Sequence, residues 1–353
     1  MNSLPPPLRL VLSGYYGHGN VGDEAILAGI VTAIRSLAPD AHLTVISASP
    51  ADTMEQHPVE AISHRGLIGI ARAIRASDGL VSGGGSLLHD RTSQRPVPYY
   101  GGTILLARLL GRPAMVYAQG LGPLRRRHQR WLAALALRAA DYLSLRDDRS
   151  VVLLRELGVH RPAVVVSDPV LGLPTPVSVA SPGRPRLVVS LRTWPGPEGW
   201  VTHVVGALRQ LSARFEIDLM PMHLPEDVAV AERVAAELGG AARVVVPRGY
   251  RAAIDVVAGA DLVIGMRLHA LIFAALAGRP FVAIAYDPKV TAFAEQLGQP
   301  LGADVTDEAF SGPSLASLVE AHLSADHAAY RRRAAALREA ATRPAIAITD
   351  RRR

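Results

Sequence analysis

Along most of the chain, short β-branched and aliphatic runs alternate with longer stretches in which apolar residues recur every three or four positions. RLVLSGY (9–15), HLTVISA (42–48), GLVSGG (79–84), AMVYAQG (114–120), YLSLR (142–146) and AVVVSD (163–168) predict strands, with helices over 23–37 and 128–140 among the segments between them. LPTPVSVASPGRPR (173–186) has the Pro/Ser/Gly content of a linker, and beyond it the rhythm restarts. RLVVSLR, IDLMPMH, RVVVP, LVIGM and FVAIAY are separated by helical patterns near 200–214, 226–238, 251–259 and 268–277. Near-continuous apolar strands with helical crossovers imply parallel sheets covered on both faces. The pattern predicts an α/β protein of two Rossmann-like, doubly wound domains facing a central cleft. Their expected bounds are 1–172 and 186–324, with a linker over 173–185 and a C-terminal helix and basic tail over 325–353.

Ligands of such sheets sit beyond the carboxyl ends of the strands, and the glycine-rich segments of this chain fall there. SGYYGHGNVGDEAI follows the first strand and opens a helix; SGGGSLLHD and AQGLGP follow two others. Glycine lets backbone approach a ligand closely, and a helix N-terminus offers free N–H donors. Gly17, His18, Asn20, Gly84 and Gly85 are therefore candidate contacts. Asp90, closing the second loop beside His89, is a candidate to orient or deprotonate a hydroxyl; the competing role is a helix cap or turn residue. Arg192 and Trp194 follow the first strand of the second domain, and sugars stack on indoles. His223 fits a structural histidine as well as a ligand. Neither loop matches the G-x-G-x-x-G or G-x-x-x-x-G-K-[ST] patterns, which weakens a dinucleotide or P-loop reading.

Composition narrows the classes. With 353 residues, 49% hydrophobic and 20% charged, the chain has the material for two ordered cores. No apolar run reaches the ~20 residues that span a bilayer, and the N-terminus lacks the pattern of a signal peptide. The absence of cysteine excludes disulfides and thiolate chemistry and suits a cytoplasmic protein. No His/Asp/Glu cluster has metal-site spacing, so no metal is expected. The net charge of +7 raises nucleic acid as a partner, but the arginines are scattered and aromatic residues are few. Anionic small substrates or an anionic membrane face account for it as well. Of 38 basic residues, Lys289 alone is lysine, which suggests a need for a compact cation.

GMRLHA (265–270) sets Arg267 and His269 between two apolar runs. Unpaired buried charge is expensive enough that such a pair marks a ligand, a partner or a structural ion pair. The ordered stretches GYYGHGNVGDEAIL, SGGGSLLHDRTSQRPVPYY, YAQGLGPL, LSLRDDRSVVLLRELGV, SDPV, VSLRTW, ADLVIG and GMRLHALIFAALAGRPFVAIAYDPKV cover most of the chain. On these motifs it resembles the polysaccharide pyruvyl transferase family, particularly bacterial cell-wall enzymes of the CsaB type. The resemblance implies a GT-B-like fold and transfer of the pyruvyl group of phosphoenolpyruvate onto a sugar as a cyclic ketal, with release of phosphate. It further implies an N-acetylmannosamine-containing, lipid-linked or polymeric cell-wall precursor whose pyruvate later anchors surface-layer proteins, and no cofactor beyond the co-substrate. Positions matching the family's donor site are Arg146, Arg267, Leu268, His269 and Lys289.

Phosphoenolpyruvate is a densely charged anion whose carboxylate and phosphate favour forked donors. Arg267 and Arg146 offer forks and Lys289 a point charge. His269 suits the proton donor to the enol methylene carbon, since histidine titrates nearest neutrality. Gly17, His18, Asn20, Gly84, Gly85, Asp90, Arg192 and Trp194 are left for the acceptor. Two other readings share the architecture: a nucleotide-sugar glycosyltransferase and a non-catalytic glycan-binding protein. Such glycosyltransferases carry a ribose-binding glutamate in a segment like LIFAALAGRP, where this chain has Ala274. The expected location is cytoplasmic, with peripheral contact at the inner face of the membrane.

Overall fold

An aliphatic run buried on both faces needs a neighbouring strand on each side and helices above and below, and the apolar runs of this chain meet that need as parallel strands. The computed structural model describes residues 6–91, 93–177, 183–194, 199–305 and 311–350. The chain forms two compact units, the first comprising Met1–His18, Asp23–Leu173 and Leu337–Arg353, the second Gly19–Gly22 and Pro174–Ala336.

The first unit contains β1 (Arg9–Ser13), α1 (Val21–Leu37, its first two residues in the second unit), β2 (His42–Ser47), α2 (Pro50–Gln56), β3 (Glu60–Ser63), α3 (Leu67–Arg75), β4 (Gly79–Gly83), α4 (Gly102–Leu109), β5 (Ala114–Gln119), α5 (Arg127–Ala139), β6 (Tyr142–Leu145), α6 (Asp148–Glu156) and β7 (Val164–Val165). Its strands pair in parallel in the order β3-β2-β1-β4-β5-β6-β7 among the described residues. The AVVVSD run narrows to the two-residue edge strand β7, whose valines are exposed. The polar edge strand β3 lies outside the runs that hydrophobicity singled out, because an edge needs less apolar cover.

The second unit contains β8 (Arg186–Ser190), α7 (Trp200–Leu211), β9 (Glu216–Leu219), α8 (Val228–Glu237), β10 (Ala242–Val244), α9 (Gly249–Ala258), β11 (Leu262–Gly265), α10 (Leu268–Leu276), β12 (Phe281–Ala285), α11 (Pro288–Leu297), β13 (Leu301–Asp304) and α12 (Gly312–Leu323). Its parallel order is β10-β9-β8-β11-β12-β13. Part of the expected linker, 178–182, lies outside the described residues, as does the end of the tail, 351–353.

The single helix expected from about residue 325 is two helices, α13 (Ala328–Ala341) and α14 (Arg343–Asp350). Pro344 accounts for the break, since proline lacks an N–H and disfavours helical backbone before it. From Leu337 onward the chain belongs to the first unit. There Ser167 Oγ donates to the Leu337 carbonyl, Arg338 Nη2 to that of Leu173 at 3.0 Å, and Tyr117 OH to that of Ala341 at 3.3 Å.

Each sheet reverses its strand order once, between β1 and β4 in the first and between β8 and β11 in the second. Such a switch point separates two successive loops and leaves a crevice at the carboxyl ends of the strands. Loops 14–18 and 84–90 flank the first crevice; Arg192, Trp194 and Arg267 flank the second.

At the end of α12, His322 donates from Nε2 to Gln299 Oε1 at 3.0 Å; the same oxygen accepts from the Phe281 amide, which fixes it as the acceptor. Burial first, and then the His327 ring 4.7 Å away, push the His322 imidazole down to about 4. Unfolded, it protonates near 6.5. Its contribution to stability is therefore complete above about 6.5, falls as pH drops toward 4, and is lost below that. The urea midpoint should fall between neutral pH and about pH 5, and His322→Gln should flatten that dependence. An unchanged slope in the variant would assign the acid sensitivity elsewhere.

Candidate functional site

β11 ends at Gly265 and α10, apolar apart from His269, begins at Leu268, so Arg267 occupies the N-cap position in extended conformation. From there its Nε donates to Asp227 Oδ2 at 2.8 Å and its Nη2 to Oδ1. Asp227 is buried, and Oδ2 also accepts the amides of His223 at 2.9 Å and Met222 at 3.3 Å. Forked geometry and these extra donors are what a buried ion pair requires. Leu268 is buried beside the pair.

His269, in the first turn of α10, packs against Gly22. A Cβ built on Gly22 would lie 2.2 Å from His269 Nδ1 and 2.8 Å from its Cβ, so any other residue would displace the ring. The Gly19–Gly22 segment is held by backbone bonds to the same 222–224 loop. The Val21 amide donates to the Met222 carbonyl at 2.9 Å, and the Leu224 amide to that of Gly19 at 3.0 Å. Asn20 is bridged to His223, and its Oδ1 accepts from the Gly22 amide.

Three cations of this unit, Arg192, Arg267 and Lys289, act on Tyr286, just after β12. The Arg192 guanidinium lies over the Tyr286 ring at 4.7 Å and over Trp194 at 5.4 Å, and the two rings meet edge to face at 4.9 Å. Burial is the largest influence on the Tyr286 phenol and raises its pKa, but Lys289, Arg192 and Arg267 together bring it below the ordinary value. Lys289 is the second residue of α11, its amide capped by Asp287 at 3.0 Å. Among the described residues, Arg192 and Lys289 have no carboxylate partner. His223 is pushed below its ordinary value chiefly by burial; Glu226 opposes, Arg267 reinforces, Asp227 opposes and Arg192 reinforces.

In the first unit, Arg146 follows β6 as Arg267 follows β11. Its Nη1 donates to buried Asp168 at 2.9 Å and its Nη2 to Ser86 Oγ at 3.3 Å. Ser86 belongs to the second glycine loop. Gly84 there has φ +68°, and a Cβ on it would fall 1.9 Å from Ile26 Cγ2, so only glycine fits. The Gly85 carbonyl accepts from the Gly120 amide at 2.8 Å, joining this loop to the one after β5. In the first loop, the Gly17 amide donates to Glu24 Oε1 at 2.7 Å. The half-buried His18 ring stacks on Tyr15 at 4.1 Å and approaches His64 at 5.6 Å.

Asp90 has the turn-residue geometry: its buried carboxylate accepts the amides of Arg125 at 2.9 Å and Arg126 at 2.7 Å. Burial alone would raise its pKa, but these amides and the two arginine charges bring it below the usual value.

The structure thus gathers Arg192, Trp194, Arg267 and Lys289 about one tyrosine, and Gly84, Gly85 and Arg146 about Ser86. Arg192 and Trp194, expected with the acceptor residues, stand beside the donor candidates. Sequence reading missed Asp227, Asp168, Tyr286 and Gly22. Asp227 and Asp168 look like ordinary acids ahead of helical turns, and Tyr286 closes an apolar strand. Gly22, a glycine in the first turn of a helix, was the one visible signal.

Two parallel sheets, each with basic side chains at the strand ends, define a GT-B-type α/β fold. Solved structures agree over nearly the whole chain. A putative UDP-N-acetylglucosamine 2-epimerase from Listeria monocytogenes is similar at 16% identity and TM-score 0.70, covering 98% of this chain and 96% of that one. Anabaena HepE in complex with UDP and glucose has 13% identity, TM-score 0.62 and 98% coverage of both chains. A glycosyltransferase from Rickettsia africae has 11% identity, TM-score 0.63, and 98% and 97% coverage. No curated protein matches by sequence. The polysaccharide pyruvyl transferase family profile matches residues 20–288, and the chain belongs to that family.

The packing of Gly22 on His269 makes a prediction. Gly22→Ala should lower turnover about 10²-fold through misplacement of the ring, and cost about 1–3 kcal/mol of stability through overpacking. Normal turnover would show that the close approach is incidental. Asp227→Ala strands the Arg267 charge and should destabilise the protein by about 3–5 kcal/mol in chemical denaturation.

Proposed function

We propose that the protein transfers the pyruvyl group of phosphoenolpyruvate onto a sugar of a cell-wall polysaccharide precursor, as a CsaB-type enzyme acting on N-acetylmannosamine. The observation that carries this reading is the set of cations around Tyr286. Arg267 is neutralised by Asp227, but Arg192 and Lys289 have no such partner among the described residues, and together they suit a small polyanion. Phosphoenolpyruvate is the co-substrate, and no further cofactor enters. Arg267 keeps its Nη1 donors for the anion, while Asp227 holds the other edge of the guanidinium.

The chemistry balances without a redox step. His269 gives a proton to the methylene carbon, and a sugar hydroxyl adds to C2 of the resulting oxocarbenium-like centre. Phosphate departs as the second hydroxyl closes the cyclic ketal. Of the two hydroxyl protons, one replaces the proton given by His269 and the other leaves on phosphate. The enzyme works at the inner face of the membrane on a lipid-linked precursor, whose pyruvate would anchor surface-layer proteins. No helix among the described residues is long and apolar enough to cross a membrane. A nucleotide sugar as donor is disfavoured by Ala274, which is buried within α10.

Phosphoenolpyruvate at a hundredfold excess over its dissociation constant should stabilise the fold by about 2.7 kcal/mol. With an N-acetylmannosamine-containing acceptor it should release phosphate, and the product should gain one ketal-linked pyruvyl group. Stabilisation by a nucleotide sugar alone, with nucleotide release, would favour the glycosyltransferase reading; binding without turnover of either donor would favour a glycan-binding protein. His269→Ala should reduce kcat by about 10²–10⁴-fold with donor affinity largely kept. Arg267→Ala should lose both affinity and stability. The double variant Arg267→Ala/Asp227→Ala, freed of the stranded carboxylate but lacking the acceptor of the Met222 and His223 amides, should recover part of the melting temperature but no affinity. Recovery of both would make the pair purely structural.

A further inference from the structure

Helix α5 presents a surface that the chemistry above does not use. Its buried residues are Gln129, Ala133, Ala134, Ala136 and Leu137. Away from them Trp131 is 66% exposed and Leu135 38% exposed. Four residues apart, the two lie on one face. The helix carries no acidic residue, and Arg125, Arg126 and Arg127 lead into it, all exposed. A face kept merely in solution would mix charges of both signs and would not display a tryptophan and a leucine together.

Asp90 holds this run in place. By accepting the amides of Arg125 and Arg126 it fixes the backbone just before the helix begins. Gln129 Nε2, donating to the Gln94 carbonyl at 3.0 Å, pins the first turn. The arginines are thereby offered from an ordered scaffold.

We propose that this face of α5 docks the protein on an anionic lipid bilayer. Trp131 and Leu135 enter the interface, where an amphipathic indole is favoured, and the arginines meet lipid phosphates. Charge complementarity selects this occupant: an apolar pair on a helix whose own charged side chains are all arginine, with Glu156 beside Arg130 the one acidic neighbour in an ion pair with it, fits an anionic apolar interface. α5 starts from the loop after β5, at the end of the first sheet where Gly84, Gly85 and Arg146 also lie. A glycan still attached to its lipid would meet those loops beside the membrane. Only that last point rests on the function proposed above; docking itself does not.

The test is co-sedimentation of the full-length protein with vesicles of mixed phosphatidylglycerol and phosphatidylcholine, against pure phosphatidylcholine, at low and high salt. Binding is expected only to the anionic vesicles and should weaken with salt. Trp131→Glu/Leu135→Glu should lower it by about tenfold or more, and Arg125→Ala/Arg127→Ala should reduce it too. Melting temperature and phosphate release with a soluble acceptor should stay as in the parent, since these side chains are exposed and outside the site. Equal binding to both vesicle types, or undiminished binding by the Glu variant, overturns the proposal. So does a parent dimer in sedimentation velocity that the Glu variant abolishes, which would make the face a protein interface. A protein that binds vesicles but releases no phosphate would refute the transferase chemistry and leave the docking surface standing.

Discussion

The buried fork between Arg267 and Asp227 is the constraint on which the second unit's site depends. Asp227 accepts two guanidinium donors and two amides of the 222–223 backbone, so one carboxylate ties the start of α10 to the loop after β9. That loop carries the Gly19–Gly22 segment on its own backbone bonds, and Gly22 closes against the His269 ring. The ring of interactions returns to α10, where it began. A buried ion pair contributes little net stability against an apolar replacement. Its value here is orientation, because an arginine held on one edge presents the other in a fixed direction.

The first unit uses the same device. Arg146 follows a strand, leans on buried Asp168, and reaches the serine of a glycine loop. Asp168 and Asp227 each also accept backbone amides, so neither carboxylate depends on arginine alone for its partners. Among the described residues, Arg192 and Lys289 beside Tyr286 are in no such ion pair. Burial raises the pKa of the Tyr286 phenol, and Lys289, Arg192 and Arg267 bring it below its ordinary value. Lys289, the solitary lysine of the chain, is one of the cations that act on this phenol.

Kinship of fold extends to proteins crystallised with UDP, yet fold alone does not choose the donor. Residues 20–288 carry the family match, and that span includes Arg146, Arg192, Arg267 and His269, while Lys289 lies one residue beyond it. The features of this chain at the strand ends are local: a small buried residue at position 274, and a tyrosine at 286 with cations about it.

The alternation of aliphatic runs with helical periodicity determined the two parallel-sheet units, because burial on both faces leaves its mark on consecutive residues. The motif around Arg267 and His269, the glycine loops and the lone lysine were visible for a like reason: each is a local departure from its surroundings. The edge strands β3 and β13 and the break at Thr342 were not singled out, since edges need little apolar patterning and the break turns on one proline. Partnership was beyond the sequence altogether. Asp227 lies 40 positions from Arg267 and Asp168 lies 22 from Arg146. Gly22 meets a histidine at position 269, and Asp90 became the anchor of an arginine run because its carboxylate faces amides 35 and 36 residues away. Hydrophobic pattern records whether a residue is buried, whereas ion pairs and close contacts depend on which crossovers bring distant loops to the same strand ends. Only the tertiary structure decides that.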